Sequence, residues 1–355
     1  MGIYQGGTKM SDKFITSDKI FQHTEQLNNW KQGAGVKPIT LELHLTNKCN
    51  NACYYCCMWN VKNAQEMNTG QVRGAVDFIG DSGAKGVIFS GGGEPTMHKD
   101  FNNAVFWLEQ KGLDVGVITN GVNWDEQRIK TVLPMIKWVR ISLDAINDEQ
   151  YKAIRGTHQF EQVVANIKKM LELKSHYPET TIGVQMVVNK HNYHTIREFF
   201  QFCMDKIPEI DYVQIRPLEI RMDETPYSNH ELKEIFDAID TFKHPKLQLS
   251  DKWDLIMGER EFGFTKCHCC EMIGTIDAYG DYYLCCHTLL RPEYKFFNIF
   301  SNSQSNQVLH KFDKLKALGP SKGLNPTICP IGCRGSNINR RLEGLDNESK
   351  HKNFL

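Results

Sequence analysis

Residues 41–60 read LELHLTNKCNNACYYCCMWN, and Cys49, Cys53 and Cys56 stand there at C-x3-C-x2-C spacing, directly after an alternating run. Leu41, Leu43 and Leu45 alternate with Glu42 and His44, the period of a strand with one covered face. The cysteines fall on the loop that leaves this strand. Three thiolates on a short loop can hold a metal centre, but they cannot close a four-cysteine zinc site, and structural zinc modules more often use paired C-x2-C knuckles. Such a loop suits an iron–sulfur cube with one iron left open. Buried free cysteines acting as small hydrophobes are the ordinary reading of a lone cysteine; three within eight residues argue against it.

The chain has 355 residues, 41% hydrophobic and 24% charged, which is ordinary for a soluble globular protein of one large domain or two smaller ones. Lys plus Arg equals Asp plus Glu at 42 each, so the broad basic field of a nucleic-acid binder is missing and a nucleic-acid partner is not expected. No apolar run reaches the length of a membrane span, and MGIYQGGTKM lacks the apolar core of a signal peptide. Gly6 stands where a myristoylation signal wants Ser or Thr. Twelve cysteines without a secretion signal point to thiolate chemistry in a reducing, cytoplasmic compartment. Four lie in the opening loop (Cys49, Cys53, Cys56, Cys57), seven between Cys267 and Cys333, and Cys203 stands apart, which suggests two metal centres in two domains.

From Thr40 the chain alternates strand and helix, with strands expected at 40–45, 86–90, 114–119, 138–143, 181–188 and 212–216. Helices are expected at 69–82, 100–110, 125–135, 160–175 and 193–205. Right-handed connections curl such units into an α/β partial (β/α)6 barrel of the TIM type. The expected organisation is an N-terminal arm (1–37), the barrel (38–226), and a helical linker with a small cysteine-rich extension (227–355). The arm is expected to pack on the main domain and is too short for a separate peptide-recognition domain. Helices cover the outer face of a barrel, so Leu41, Leu43, Leu45, Val139, Ile141 and Leu143 should point outward. Glu42, His44, Arg140, Ser142, Asp144, Gln185, Gln214 and Arg216 then point inward, which describes a cavity for a polar ligand; buried ion pairs with no ligand are the alternative.

Functional groups gather at the C-terminal ends of barrel strands. The second strand ends in Ser90-Gly91-Gly92-Gly93-Glu94-Pro95, and the fourth in Ser142-Leu143-Asp144. With the cysteine loop, these stretches resemble the radical S-adenosylmethionine (SAM) superfamily, whose loop reads C-x3-C-x-aromatic-C with Tyr55 in the aromatic place. The resemblance runs from about Pro38 to the C-terminus. It implies that Cys49, Cys53 and Cys56 hold a 4Fe-4S cluster whose open iron chelates SAM. It also implies that Gly92, Gly93 and Glu94 bind the SAM amino group and that Ser142 and Asp144 contact ribose; Arg155, whose guanidinium matches a carboxylate, is expected to meet the SAM carboxylate. Cys57 has no place in the motif.

The region 266–287, KCHCCEMIGTIDAYGDYYLCCH, reads as a hairpin about Tyr279-Gly280 with strands at 273–278 and 282–284, and Cys329-Pro-Ile-Gly-Cys333 follows much later. The G-x4-C and C-x3-C elements resemble the auxiliary-cluster extensions called SPASM and, when shortened, Twitch. The resemblance implies one auxiliary 4Fe-4S cluster on Cys267, Cys285, Cys329 and Cys333. Cys269 or Cys270 could replace Cys267, and zinc is the competing occupant. The activity so implied is hydrogen abstraction by a 5'-deoxyadenosyl radical, in an oxidation or epimerisation. The substrate is polar and carbohydrate-like, with maturation of a peptide or protein side chain second, and a flavodoxin or ferredoxin is the implied electron donor. The contrasting class is a non-catalytic cysteine-rich metal-binding module, which leaves the strand-end Gly92, Gly93, Glu94, Ser142 and Asp144 without a purpose.

Overall fold

The computed structural model describes residues 17–33, 37–58, 63–218, 227–241, 243–250, 253, 264, 266–289, 294–301, 333 and 335–346. Six parallel strands run in sequence order: β1 (Thr40–Leu43), β2 (Gly86–Phe89), β3 (Asp114–Thr119), β4 (Trp138–Ser142), β5 (Thr181–Val188) and β6 (Tyr212–Pro217). A seventh, β7 (Leu247–Leu249), pairs parallel to β6 and was not foreseen, because three residues carry too little pattern to be read. The sheet stays open, and its order is β10-β9-β8-β1-β2-β3-β4-β5-β6-β7. At the other edge β8 (Ile273–Ile276) pairs parallel to β1, while β9 (Asp281–Tyr283) and β10 (Lys295–Asn298) continue antiparallel. The hairpin read from the sequence is therefore joined to the barrel strand by strand.

The helices form as their sequences dictate. α1 (Thr24–Lys31) precedes the sheet, and α2 (Thr69–Ser82) follows the cysteine loop. α2 opens on an Asn68–Gln71 capping box, buries Val72, Ala75, Val76, Phe78 and Ile79, and stops at Gly83 in the left-handed conformation. α3 (Phe101–Gln110), α4 (Glu126–Val132), α6 (Phe160–Lys174) and α7 (Ile196–Lys206) cover the outer face, and α8 (Asn229–Asp240) follows β6. α5 (Asp148–Arg155) is not among the helices expected from the sequence, although Asn147 caps it, Asp148 and Glu149 open it, and Gly156 ends it at φ 75°.

Inside-out alternation holds at most of these positions; Asp144 and Gln185, expected inward with the others, do not line the cavity. Leu41, Leu43, Leu45, Val139, Ile141 and Leu143 are wholly buried beneath helices, while Glu42, His44, Arg140, Ser142, Gln214 and Arg216 line one cavity. Residues from β1 to β6 meet in that cavity, so the open sheet curls around it. Trp138 lies across Gly116 and Tyr212 across Gly183, each so close that an added Cβ would fall 2.2 Å from the ring; strands without side chains at these points let two aromatic rings lie flat on the sheet.

The N-terminal arm finds its partners at the far end of the sequence. Ile20 and Ile39 are buried with Met272 and Leu342, and Leu27, Trp30 and Ile338 pack against them. Trp30 meets His268 edge to face at 5.1 Å, and Arg341 in the C-terminal helix Ser336–Asp346 pairs with Asp18.

In the β8–β9 turn, Asp277 accepts hydrogen bonds from the backbone N–H groups of Tyr279 and Asp281, both at 2.9 Å. Burial pushes its carboxyl up to about 6. A folded pKa above the unfolded one favours the protonated form, so this contribution is complete below pH 4 and is lost as pH rises through about 6. Asp277→Asn is expected to raise stability by about 1–3 kcal/mol at pH 7 and by little at pH 4. Melting curves at both pH values check it, and the same increment at each would contradict it.

Candidate active site

The cysteine loop is pinned by its neighbours on three sides. The Gly93 N–H donates to Thr46 O (3.0 Å) and the Glu94 N–H to Lys48 O (2.8 Å), so the turn after β2 is zipped to the chain leaving β1. Approach is close enough that a Cβ on Gly93 would lie 2.0 Å from Lys48 O, a contact no side chain could survive. From β3, Asn120 Nδ2 donates to Asn50 Oδ1 at 2.6 Å. From α5, Arg155 O accepts from the Ala52 N–H (2.8 Å) and Tyr151 OH accepts from Asn51 Nδ2 (3.1 Å).

Cys49, Cys53 and Cys56 are half-buried and share the cavity with Glu42, His44, Gly91, Gly92, Gly93, Glu94 and Ser142; its volume is about 850 Å³. Among the described residues, Cys285, Cys286 and His287 form the one group of three such side chains whose donor atoms all lie within 4.8 Å of one another. Three soft sulfur donors, a glycine turn with no side chains in the way, and an adjacent carboxylate fit a 4Fe-4S cluster with SAM.

Glu94 is held by four donors. Oε1 accepts from Thr96 Oγ1 (2.6 Å), Thr96 N–H (3.2 Å) and Thr119 Oγ1 (2.6 Å), whereas Oε2 accepts from the Asn120 N–H alone (2.7 Å). An ionised carboxylate oxygen has two lone-pair sites, so Oε2 keeps room for one more donor from the cavity. Thr96, Thr119 and Asn120 were not singled out in the sequence; nothing in their spacing marks them. Glu94→Gln is expected to weaken SAM binding by roughly ten- to a hundredfold, through loss of about 1.5–3 kcal/mol of charged hydrogen bonding. Calorimetry with SAM is the check, and an unchanged affinity contradicts it.

Tyr55 and Asp144, both assigned to cofactor contact by the resemblance, are not among the residues that line the cavity. Asp144 is wholly buried at φ 62°. Its Oδ1 accepts from the Val187 N–H (2.7 Å), and its Oδ2 pairs with Arg155 Nη2 (2.5 Å) and accepts from the Tyr55 hydroxyl. That many partners hold a non-glycine residue in the left-handed region. Arg155 does reach the cavity, and its Nη1 lies 3.5 Å from Cys53 Sγ. Desolvation works against its charge, but Asp144 overrides it and keeps the guanidinium protonated. Burial pushes the Tyr55 phenol well up, so it stays a donor to Asp144. Ser142 is the member of the Ser–Asp pair that faces the cavity.

On the opposite wall, Ser90 Oγ donates to Glu42 Oε1 (3.0 Å) and lies 3.3 Å from His44 Nε2, while Thr275 Oγ1 donates to Glu42 Oε2 (3.3 Å).

The second cysteine group gathers beside the C-terminal helix. Asn339 Oδ1 accepts from the Cys269 N–H (2.6 Å), and Asn339 Nδ2 donates to Cys267 Sγ (3.5 Å). A Cβ on Gly335 would lie 2.9 Å from Cys269 Sγ and 3.6 Å from Cys333 Sγ, which places those two sulfurs together. A hydrogen bond from Cys270 favours the thiolate of Cys267 and holds the Cys270 thiol well above its usual range. Cys285 follows β9; the pairing of Thr275 with Tyr283 sets it opposite Ile273, next to the helical turn Cys269–Met272. Cys329 lies outside the described residues. Cys57 is exposed yet borders the cavity, as do Cys286 and His287.

An open βα barrel whose first strand delivers three cysteines to a Gly-Gly-Glu turn is the frame of a SAM-dependent iron–sulfur enzyme. Residues 43–203 match the sequence model of the radical SAM superfamily, and the chain carries a radical SAM domain. Members use a 4Fe-4S cluster with SAM. Fe-coproporphyrin III synthase of Methanosarcina barkeri is 25% identical over 222 residues, 60% of this chain and 52% of that protein, so the match spans about half of the relative. Among solved structures, Streptococcus suis SuiB bound to its precursor peptide SuiA superposes with a TM-score of 0.61 at 15% identity, covering 88% of this chain and 74% of that one. The enzyme anSMEcpe with bound AdoMet gives 0.59 at 16% identity, covering 88% and 100%. A radical SAM domain over residues 43–203 and the open parallel fold expected from the sequence are thereby shown, together with the 4Fe-4S and SAM pair that such a domain uses. Among the described residues, no helix is long and apolar enough to cross a membrane.

Proposed function

We propose that this protein is an oxidoreductase or epimerase that abstracts hydrogen from a small polar, carbohydrate-like substrate. The observation that carries this reading is the barrel interior: one cavity of about 850 Å³ bears Glu42, His44, Ser90, Arg140, Gln214 and Arg216. A space of that size is ordinary for one small ligand, and here it has to admit cofactor and substrate together, which favours a small molecule or a single side chain. Cleavage of the bound SAM supplies a 5'-deoxyadenosyl radical. Cys49, Cys53 and Cys56 ligate the cluster, Gly92, Gly93 and Glu94 receive the SAM amine, and Ser142 meets the ribose. Tyr55, Asp144 and Arg155 hold the loop and its charge. Cys267, Cys285 and Cys333, with Cys329, hold an auxiliary 4Fe-4S cluster, with Cys269 an alternative ligand from its closeness to Cys333. A flavodoxin or ferredoxin in a cytoplasmic compartment supplies the electron.

Peptide maturation is the second reading, supported by the peptide-bound SuiB structure that this fold resembles. Anaerobic reconstitution with iron and sulfide, followed by reduction in the presence of SAM, is expected to yield 5'-deoxyadenosine and iron for two clusters. No 5'-deoxyadenosine from iron-loaded protein sinks the enzymatic reading. Iron for one cluster with stoichiometric zinc sinks the auxiliary-cluster assignment alone.

A further inference from the structure

On the barrel wall away from the Gly-Gly-Glu turn, four polar side chains share one row across four strands. Ser142 on β4 is in register with Gln185 on β5, Gln185 with Gln214 on β6, and Gln214 with Gln248 on β7. Residues in register on parallel neighbours point to the same face; Ser142 and Gln214 line the cavity, whereas Gln185 and Gln248 belong to the same row without lining it. The three glutamines are 4%, 3% and 9% exposed. Gln214 Oε1 accepts from Arg140 Nη1 at 3.2 Å, but Oε1 of Gln185 and Oε1 of Gln248 are buried with no hydrogen-bond partner among the described residues. A buried amide oxygen left so costs about 1–3 kcal/mol, and such groups ordinarily have a partner. Arg140 and Arg216 flank the row along β4 and β6 and border the same cavity. Below it the rings of Trp138 and Tyr212 lie flat on the sheet.

Resting on the small-substrate reading above, we propose that this row is the substrate-recognition wall and that the substrate is an anionic polyol, a sugar ring carrying a carboxylate or phosphate. Ring hydroxyls donate to Gln185 and Gln248. The anionic group meets the guanidinium of Arg216, which is two residues beyond Gln214 on β6, in a geometry guanidinium suits. The aromatic floor takes the apolar face of the ring. Ser142, the proposed ribose contact, is where the row begins, and Gln185, Gln214 and Gln248 run away from the SAM contacts on β5, β6 and β7.

The test is calorimetry on reconstituted, SAM-loaded, full-length protein with glucuronate, glucose 6-phosphate and glucose as probes. At least one anionic sugar is expected to bind about tenfold or more tightly than glucose, and the pair separates a carboxylate from a phosphate. Arg216→Met is expected to reduce that affinity to the glucose level, and Gln248→Leu to lower it about tenfold. Gln248→Glu, which keeps the size of the side chain, is expected to do the same by charge repulsion, and iron content reports folding in each variant. SAM affinity, titrated separately, is expected to stay within about twofold of the unaltered protein. Failure of all three sugars to bind, equal affinity for glucose, or a tenfold loss of SAM affinity in the Gln248 variants overturns the proposal. A protein that forms 5'-deoxyadenosine and gives any of these results loses only this inference, whereas one that forms none loses the enzymatic reading.

Discussion

Changing Cys49, Cys53 and Cys56 together to alanine is expected to abolish 5'-deoxyadenosine formation, with the fold intact and the iron of the second cysteine group retained. The loop does not depend on its thiols for its course. Its backbone and asparagines are tied to the Gly-Gly-Glu turn, to Asn120 and to α5 by bonds that involve no sulfur. The second group lies beside the C-terminal helix, with its own contacts to Asn339 and Gly335. Iron analysis and EPR of the reduced protein should show one cluster where the unaltered protein shows two. Undiminished 5'-deoxyadenosine formation would remove the loop from the chemistry altogether. Loss of all iron with a collapsed melting curve would show that the loop is held by its metal instead of by its neighbours.

The second large effect concerns the ion pair behind the loop. Asp144 and Arg155 have side chains 0% and 6% exposed, joined at 2.5 Å. Asp144→Ala strands a buried guanidinium beside Tyr55 and Cys53, and removal of one partner of such a pair typically destabilises by about 3–5 kcal/mol. The double change Asp144→Ala with Arg155→Met removes both charges and is expected to recover a large part of that loss. Urea unfolding of the three variants measures the coupling. A single-variant loss below about 1 kcal/mol, or a double variant no better than Asp144→Ala, would show that the pair is not a buried unit. Because Arg155 reaches Cys53 Sγ, the single variant should also bind less iron at the first site.

The sequence made the βα rhythm, the leucine-out alternation and the cysteine loop readable because each is a local pattern: period two along a strand, a glycine turn, a fixed cysteine spacing. α5 escaped because a short helix inside a connection has caps but little periodicity, and β7 because three residues have neither. The behaviour of Asp144 could not be read from its motif. S-x-D foretells an inward pair, but only the fold brings Arg155, Tyr55 and the Val187 N–H to one carboxylate and turns it from the cavity. The grouping of Cys269 with Cys333 across more than sixty residues is likewise a product of the fold, and the glutamine row a product of register. Neither has any spacing signature.

The parallel pairing of β8 with β1 fixes how the two cysteine groups relate. Thr40 to Leu43, which launches the first loop, is hydrogen-bonded along its length to Ile273–Ile276, which issues from the turn carrying Cys269 and Cys270. The first loop leaves the C-terminal end of β1 and the Cys269–Met272 turn enters the N-terminal end of β8, so the two cysteine groups sit at opposite ends of one hydrogen-bonded seam. Electron tunnelling is steeply sensitive to distance, so a rigid seam of this kind would keep constant the gap between the clusters proposed at its two ends. A change that loosened the β1–β8 seam would be felt as an electronic fault before it was felt as an unfolded protein.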